Sequence, residues 1–156
     1  MTRPVALITG AGIGIGAATA RAFGRAGHHV VVTDVLEAEG EAVAAQVRDA
    51  GGSAEFRPLD VRSTEACDAV VAAVEAARGG VDVVVANAGI ARKVPLDGLT
   101  DAQWDATMEV DLKGVFRAIR PALPGMRRRG RGAVVCPSSI MGVAYGIGAG
   151  TIKSDV

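Results

Sequence analysis

The stretch that most narrows what this chain can become is Thr9-Gly10-Ala11-Gly12-Ile13-Gly14-Ile15-Gly16. Before it, Pro4 to Ile8 is a short apolar run of the kind that forms a strand buried on both faces. After it, Ala17 to Ala26 is alanine-rich, with Phe23 placed to face inward, and reads as a helix. A strand that turns through glycines straight into a helix gathers backbone N–H groups and the positive end of the helix dipole at one spot. Because glycine has no Cβ, a pyrophosphate can come close to that backbone. The spacing is Gly10, Gly14 and Gly16 with Gly12 between them, not strict GxGxxG, so the context must carry the reading. That context is a second apolar run, His29 to Thr33, closed by Asp34. An acid at this distance from the glycines accepts hydrogen bonds from an adenosine ribose, and a dinucleotide site is expected.

The pattern then repeats. Val43 and Val47 among alanines predict a helix stopped by Gly51-Gly52, and Ala54 to Leu59 predicts a third strand ending at Asp60. Ser63 or Thr64 caps a helix carrying Cys67, Val70, Val71 and Val74 at helical spacing and ending at Gly79-Gly80. Val81 to Ala86 reads as a central fourth strand. Thr100-Asp101 starts a further helix, near the sole tryptophan, Trp104. Leu112, Val115, Phe116, Ile119, Leu123 and Met126 form an apolar stripe interrupted by Pro121 and Pro124, which predicts a long helix bent at the prolines. Ala133 to Cys136 is a fifth strand, with Ser138-Ser139 at its C-terminal end. Strands alternating with helices predict an α/β fold, a doubly wound parallel sheet of Rossmann-like type in the order 3-2-1-4-5, within a single dinucleotide-binding domain spanning 1–156.

Composition narrows the partners. Formal charge sums to zero, so no global field favours nucleic acid. The run Arg127-Arg128-Arg129-Gly130-Arg131 has no interleaved aromatics and suits a helix C-terminus better than a nucleic-acid site. Cys67 and Cys136 lack metal-ligand spacing and read as small buried hydrophobes in a reducing compartment, so no metal is expected. No apolar run reaches membrane-spanning length and no leader precedes the first strand, which predicts a cytoplasmic protein.

Thr9-Gly10-x-x-x-Gly14-Ile15-Gly16, Asp60-Val61, Asn87-Ala88-Gly89, Val110 to Phe116 and Ser138-Ser139 occur in the order in which the short-chain dehydrogenase/reductase family carries them, and the chain resembles that family over nearly its whole length. The resemblance implies that Gly10, Gly14, Ile15 and Gly16 line the pyrophosphate, that Asp60 and Val61 meet the adenine, and that Asn87, Ala88 and Gly89 pack beside the cofactor. Asn87 also reads as a turn residue. The resemblance further implies an alcohol or carbonyl oxidoreductase in which Ser139 polarises the substrate oxygen. Asp111 stands where the family has a supporting asparagine; it keeps a backbone carbonyl but lacks an amide donor.

Cofactor choice follows from charge. Asp34 would repel a 2′-phosphate, and Ala11, Gly12 and Ile13 bring no cation to offset it, so NAD is favoured over NADP. The family's tyrosine has no counterpart: the interval from Ser139 lands on Ile152, and taking Lys153 as the family lysine puts Ala149 at the tyrosine position. Tyr145, the sole tyrosine, has no lysine four residues on. The chain reads as a family sequence truncated after the fifth strand, with little turnover of a small-molecule substrate. The alternatives are an inactive NAD-binding or interaction module and a non-functional fragment. The open edge and the apolar stripe near 112–129 predict a homo-oligomer or aggregation.

Overall fold

The computed structural model describes residues 3–91 and 94–138. Its strands are β1 (Val5–Thr9), β2 (His29–Asp34), β3 (Ser53–Pro58), β4 (Val83–Val85) and β5 (Ala133–Val135). They form one parallel sheet in the order β3-β2-β1-β4-β5, as the alternating pattern predicts. Helix α1 (Gly14–Arg25) follows β1, α2 (Glu37–Asp49) follows β2 and α3 (Thr64–Arg78) follows β3. Between β4 and β5 lie α4 (Asp101–Asp111), α5 (Lys113–Ile119) and α6 (Leu123–Arg129), with short 3-10 turns at Leu96–Gly98 and Arg120–Ala122.

Every residue of β1 and β2 is buried, which is why their sequences are runs and not alternations. Alternate side chains serve opposite faces. Ile8, Val30 and Val32 join Ala17, Ala20, Val43 and Val47 of α1 and α2, while Leu7 and Val31 join Val71, Val74 and Met126 of α3 and α6. Thus one-residue register, set by pairs such as Leu7 with Val31, decides which helix layer each side chain meets. A smaller cluster of Leu59, Val61 and Cys67 lies at the C-terminal end of the sheet.

Helix starts follow local chemistry. Ser63 is the cap of α3, its Oγ accepting from Ala66 N at 3.1 Å. Thr100 caps α4 reciprocally: its Oγ1 accepts from Gln103 N at 3.3 Å and its own N–H donates to Gln103 Oε1 at 3.0 Å. The expected bend at the prolines is present as the 3-10 turn between α5 and α6. The arginine run is largely engaged: Arg129 Nη2 donates to Val81 O at 2.6 Å, Arg128 meets Glu75 at 3.5 Å and Arg131 meets Asp82 at 3.2 Å. These contacts tie α6 and its exit loop to α3 and β4.

Two expectations need correction. Cys136 is exposed, not buried, because β5 is an edge strand whose three residues all face solvent among the described residues. The apolar stripe also divides: Met126 is buried and Ile119 and Leu123 pack on the core, but Leu112 and Phe116 are 63% and 59% exposed. Helix α4 stops at Asp111 and α5 restarts at Lys113, so the stripe turns away from the sheet in its first half.

Candidate functional site

The strands' C-terminal ends converge on a cleft of about 380 Å³ lined by Gly10, Asp34, Val35, Leu59, Asp60, Val61, Arg62, Ala88, Gly89, Ile90, Ala106 and Val110. Six of the sequence-predicted residues, Gly10, Asp34, Asp60, Val61, Ala88 and Gly89, therefore meet at one hollow. A hollow of about 400 Å³ lined by Pro4, Asp82, Arg131, Gly132 and Ala133 lies at the opposite edge, where the strands begin. Parallel sheets bind ligands at the C-terminal edge, and only the first cleft collects the glycine loop and its acid.

The glycine loop is shaped by what surrounds it. A Cβ at Gly16 would run into the Gly10 carbonyl and the Asn87 amide, and one at Gly10 would sit 2.7 Å from Ala88 Cα. Gly14 has φ +55° with open space above it. Helix α1 begins there without a side-chain cap and without an acid in its first turn, so its leading N–H groups are free to meet an anion. Ile15, beside them, is exposed. These features fit the phosphates of a dinucleotide.

Asp34 sits at the end of β2 with both oxygens engaged: Oδ2 accepts from Gly12 N at 2.8 Å and Oδ1 from Leu36 N at 3.0 Å. The carboxylate thus holds the glycine loop while facing the cleft. Asp60 is bound by Arg62, and that guanidinium holds its carboxyl below the usual carboxylate range. Burial pushes the Cys67 thiol up to about 11, so this cysteine is an inert core residue.

Asn87 is a strut. Its Nδ2 donates to Thr9 O at 3.1 Å and Gly10 O at 3.0 Å, which uses both amide protons. Asp111 reaches back in the same way, its Oδ1 accepting from Ile90 N at 2.8 Å and fastening the loop after β4 to the end of α4. The sequence reading included Thr9 in the glycine motif but gave it no role; its buried Oγ1 accepts from both Asn87 N and Ala88 N at 3.0 Å. Its signal was a hydroxyl at the last position of an otherwise apolar strand. Ser139, Tyr145 and Lys153 lie outside the described residues. Among the described residues no group of acids, histidines and cysteines could hold a metal, and no helix is long and apolar enough to cross a membrane.

A sequence model of the family described as short chain dehydrogenase matches residues 4–151. The chain belongs to the short chain dehydrogenase family. Within it, the chain is 45% identical over 139 residues to a cis-4-hydroxycyclohexanecarboxylate dehydrogenase of Sinomonas cyclohexanicum, covering 88% of this chain and 55% of that protein. It is 39% identical over 140 residues to a 3-alpha-(or 20-beta)-hydroxysteroid dehydrogenase of Mycobacterium bovis, covering 90% and 53%. The chain spans about half the length of these curated short chain dehydrogenases. Among solved structures it resembles a metagenomic short-chain oxidoreductase in complex with NADP, with TM-score 0.84, 38% identity, and 88% of this chain and 63% of that one covered. A gluconate 5-dehydrogenase from Burkholderia cenocepacia in complex with NADP and tartrate gives TM-score 0.85 at 34% identity, covering 93% and 57%. Short chain dehydrogenases of this kind use a nicotinamide cofactor on small alcohols or carbonyls.

Proposed function

We propose that this chain forms the cofactor-binding half of an alcohol or carbonyl oxidoreductase and prefers NAD to NADP. The observation that carries the preference is the Asp34 carboxylate at the end of β2, fastened to Gly12 and facing the cleft. A fixed negative charge there accepts from ribose hydroxyls and repels a 2′-phosphate. The two related structures that hold NADP make this a sharp claim about this chain's own loop. Gly10, Gly14, Ile15 and Gly16 take the pyrophosphate, Asp60 and Val61 the adenine, and Ala88 and Gly89 the wall beside it, with Asn87 bracing the loop from behind. When bound, the nicotinamide exchanges a hydride with the substrate. Ser139 orients the substrate oxygen. The Asp111 side chain holds the Ile90 loop, leaving its backbone carbonyl for a water relay.

A second reading, a cofactor-binding module with little turnover of its own, is favoured by one observation: these 156 residues contain no Tyr-x-x-x-Lys. In that motif the lysine lowers the pKa of the phenol whose proton moves with the hydride, and Tyr145 has no lysine four residues on. Thermal unfolding with NAD, with NADP and with neither tests both readings. Binding to the folded state stabilises it by about 2.7 kcal/mol at a hundredfold excess over Kd. A shift with NAD alone supports the cofactor reading, and absence of any shift refutes it. Alcohol oxidation followed by NADH absorbance then separates enzyme from module.

A further inference from the structure

The sheet ends in two edges of opposite character. At one, β3 carries Glu55 and Arg57, paired to each other at 3.1 Å, and closes on Pro58, all features that discourage a further strand. At the other, β5 is Ala133, Val134 and Val135, with no charge among them. Val134 and Val135 are 40% and 45% exposed, and among the described residues the whole run from Arg131 to Ser138 is exposed. The ladder shows which backbone groups are free. Ala133 N donates to Asp82 O and Ala86 N to Val135 O, both at 2.9 Å, so positions 133 and 135 direct their backbone groups to β4. Successive residues of a strand address opposite neighbours, and Val134 therefore turns both its N–H and its C=O to the open edge.

We propose that this edge pairs with β5 of a second copy of the chain, antiparallel about a two-fold axis at Val134. In that register Val134 exchanges two hydrogen bonds with its own counterpart, Ala133 faces Val135 and Gly132 faces Cys136. Charge sets the direction. Arg25, Arg48, Arg78 and Arg127 stand in the last turns of α1, α2, α3 and α6, at the end of the sheet where the strands begin. Glu37, Glu65 and Asp101 stand in the first turns of α2, α3 and α4, at the opposite end. Parallel copies would set arginine end beside arginine end, whereas antiparallel copies set each arginine end beside the other's acidic end. A two-fold axis placed elsewhere would leave part of the three-residue strand unpaired.

The test is sedimentation velocity in a Phe116→Lys background, which removes association through α5. A dimer is expected. Val134→Pro deletes the outward N–H and leaves the ladder to β4 intact, so it should raise the dimer dissociation constant about tenfold or more while the fold holds. Val134→Thr keeps the N–H and the branched shape and should keep the dimer. Val134→Lys sets a charge on the edge and should give a monomer even if the proline variant fails to fold. Register is read by disulfide formation with Cys136→Ser in every chain. Ala133→Cys mixed with Val135→Cys should link on mild oxidation and neither should link alone, because these positions face each other with Cα atoms about 4.5 Å apart. A monomeric Phe116→Lys chain overturns the proposal, whether residues 139–156 or solvent cover the edge. So does a dimer that survives Val134→Lys, or cysteine chains that link alone, as parallel pairing would produce.

Discussion

The backbone N–H of Gly12 donates to Oδ2 of Asp34 across 2.8 Å, joining the glycine loop to the end of the neighbouring strand. With Leu36 N on Oδ1, the carboxylate spends about two of its roughly four acceptor sites on the fold and keeps the rest for a ligand. Asp34→Ala should therefore lower NAD affinity by about tenfold and NADP affinity less, since the substitution also removes the repulsion of a 2′-phosphate. It should also cost about 1–3 kcal/mol of stability, because the buried Gly12 N–H loses its acceptor. Denaturant midpoints and dinucleotide titrations measure the two effects separately. Equal losses for NAD and NADP would sink the assignment.

Gly16 and Gly14 should respond differently to alanine. At Gly16 a methyl meets the Gly10 carbonyl, which is backbone and cannot step aside, so Gly16→Ala should distort the loop and abolish stabilisation by NAD. At Gly14 space is open but φ is +55°, and Gly14→Ala should cost about 1–2 kcal/mol while the loop keeps its shape. Urea unfolding with and without NAD separates a strained backbone from a blocked site.

Acidification should act through His29. The ring is 3% exposed, with Nδ1 2.7 Å from Ser53 Oγ and Nε2 3.4 Å from Glu55 Oε1. Burial pushes its pKa below the ordinary 6.5; Glu55 opposes that shift, and the charges of Arg78 and Arg3 add to it. The unfolded chain then binds more protons than the folded one between the two pKa values, so stability rises with pH across that window. The His29 contribution is full above about pH 6.5 and is lost as pH falls toward the folded-state pKa. His29→Gln should flatten the unfolding midpoint between pH 7 and 5. An unchanged slope would show that another group governs it.

Self-association should run through the first half of the divided stripe. Leu112 and Phe116 are 63% and 59% exposed and four residues apart, and Trp104 on the preceding helix α4 is 45% exposed. Light scattering should find assemblies larger than the monomer, and Phe116→Lys should shift them toward it. A monomeric wild type at high concentration would contradict this.

Much of the architecture was legible because its causes are local. Unbroken apolar runs marked the buried strands, Ser63-Thr64 and Thr100-Asp101 marked helix starts, and the alternation of strand and helix implied the order of the sheet. The cleft was partly legible too, since the glycine loop, Asp34 and Asp60-Val61 follow strand ends, and strand ends share one edge in a parallel sheet. The exposure of Cys136, Leu112 and Phe116 was not legible, since burial depends on what another part of the chain lays over a residue.

The sequence by itself determined a parallel α/β sheet and the strand edge at which the glycine loop, Asp34 and Asp60 gather, because hydrophobic period, glycine and capping act over a few neighbouring residues. Only the tertiary structure decided how those residues are used. Thr9 and Asn87 are separated by 78 positions yet share two hydrogen bonds, and Gly12 and Asp34 meet across 22. Such pairs arise when β1 lies between β2 and β4, and no local pattern encodes which donor will find which acceptor once the strands are side by side.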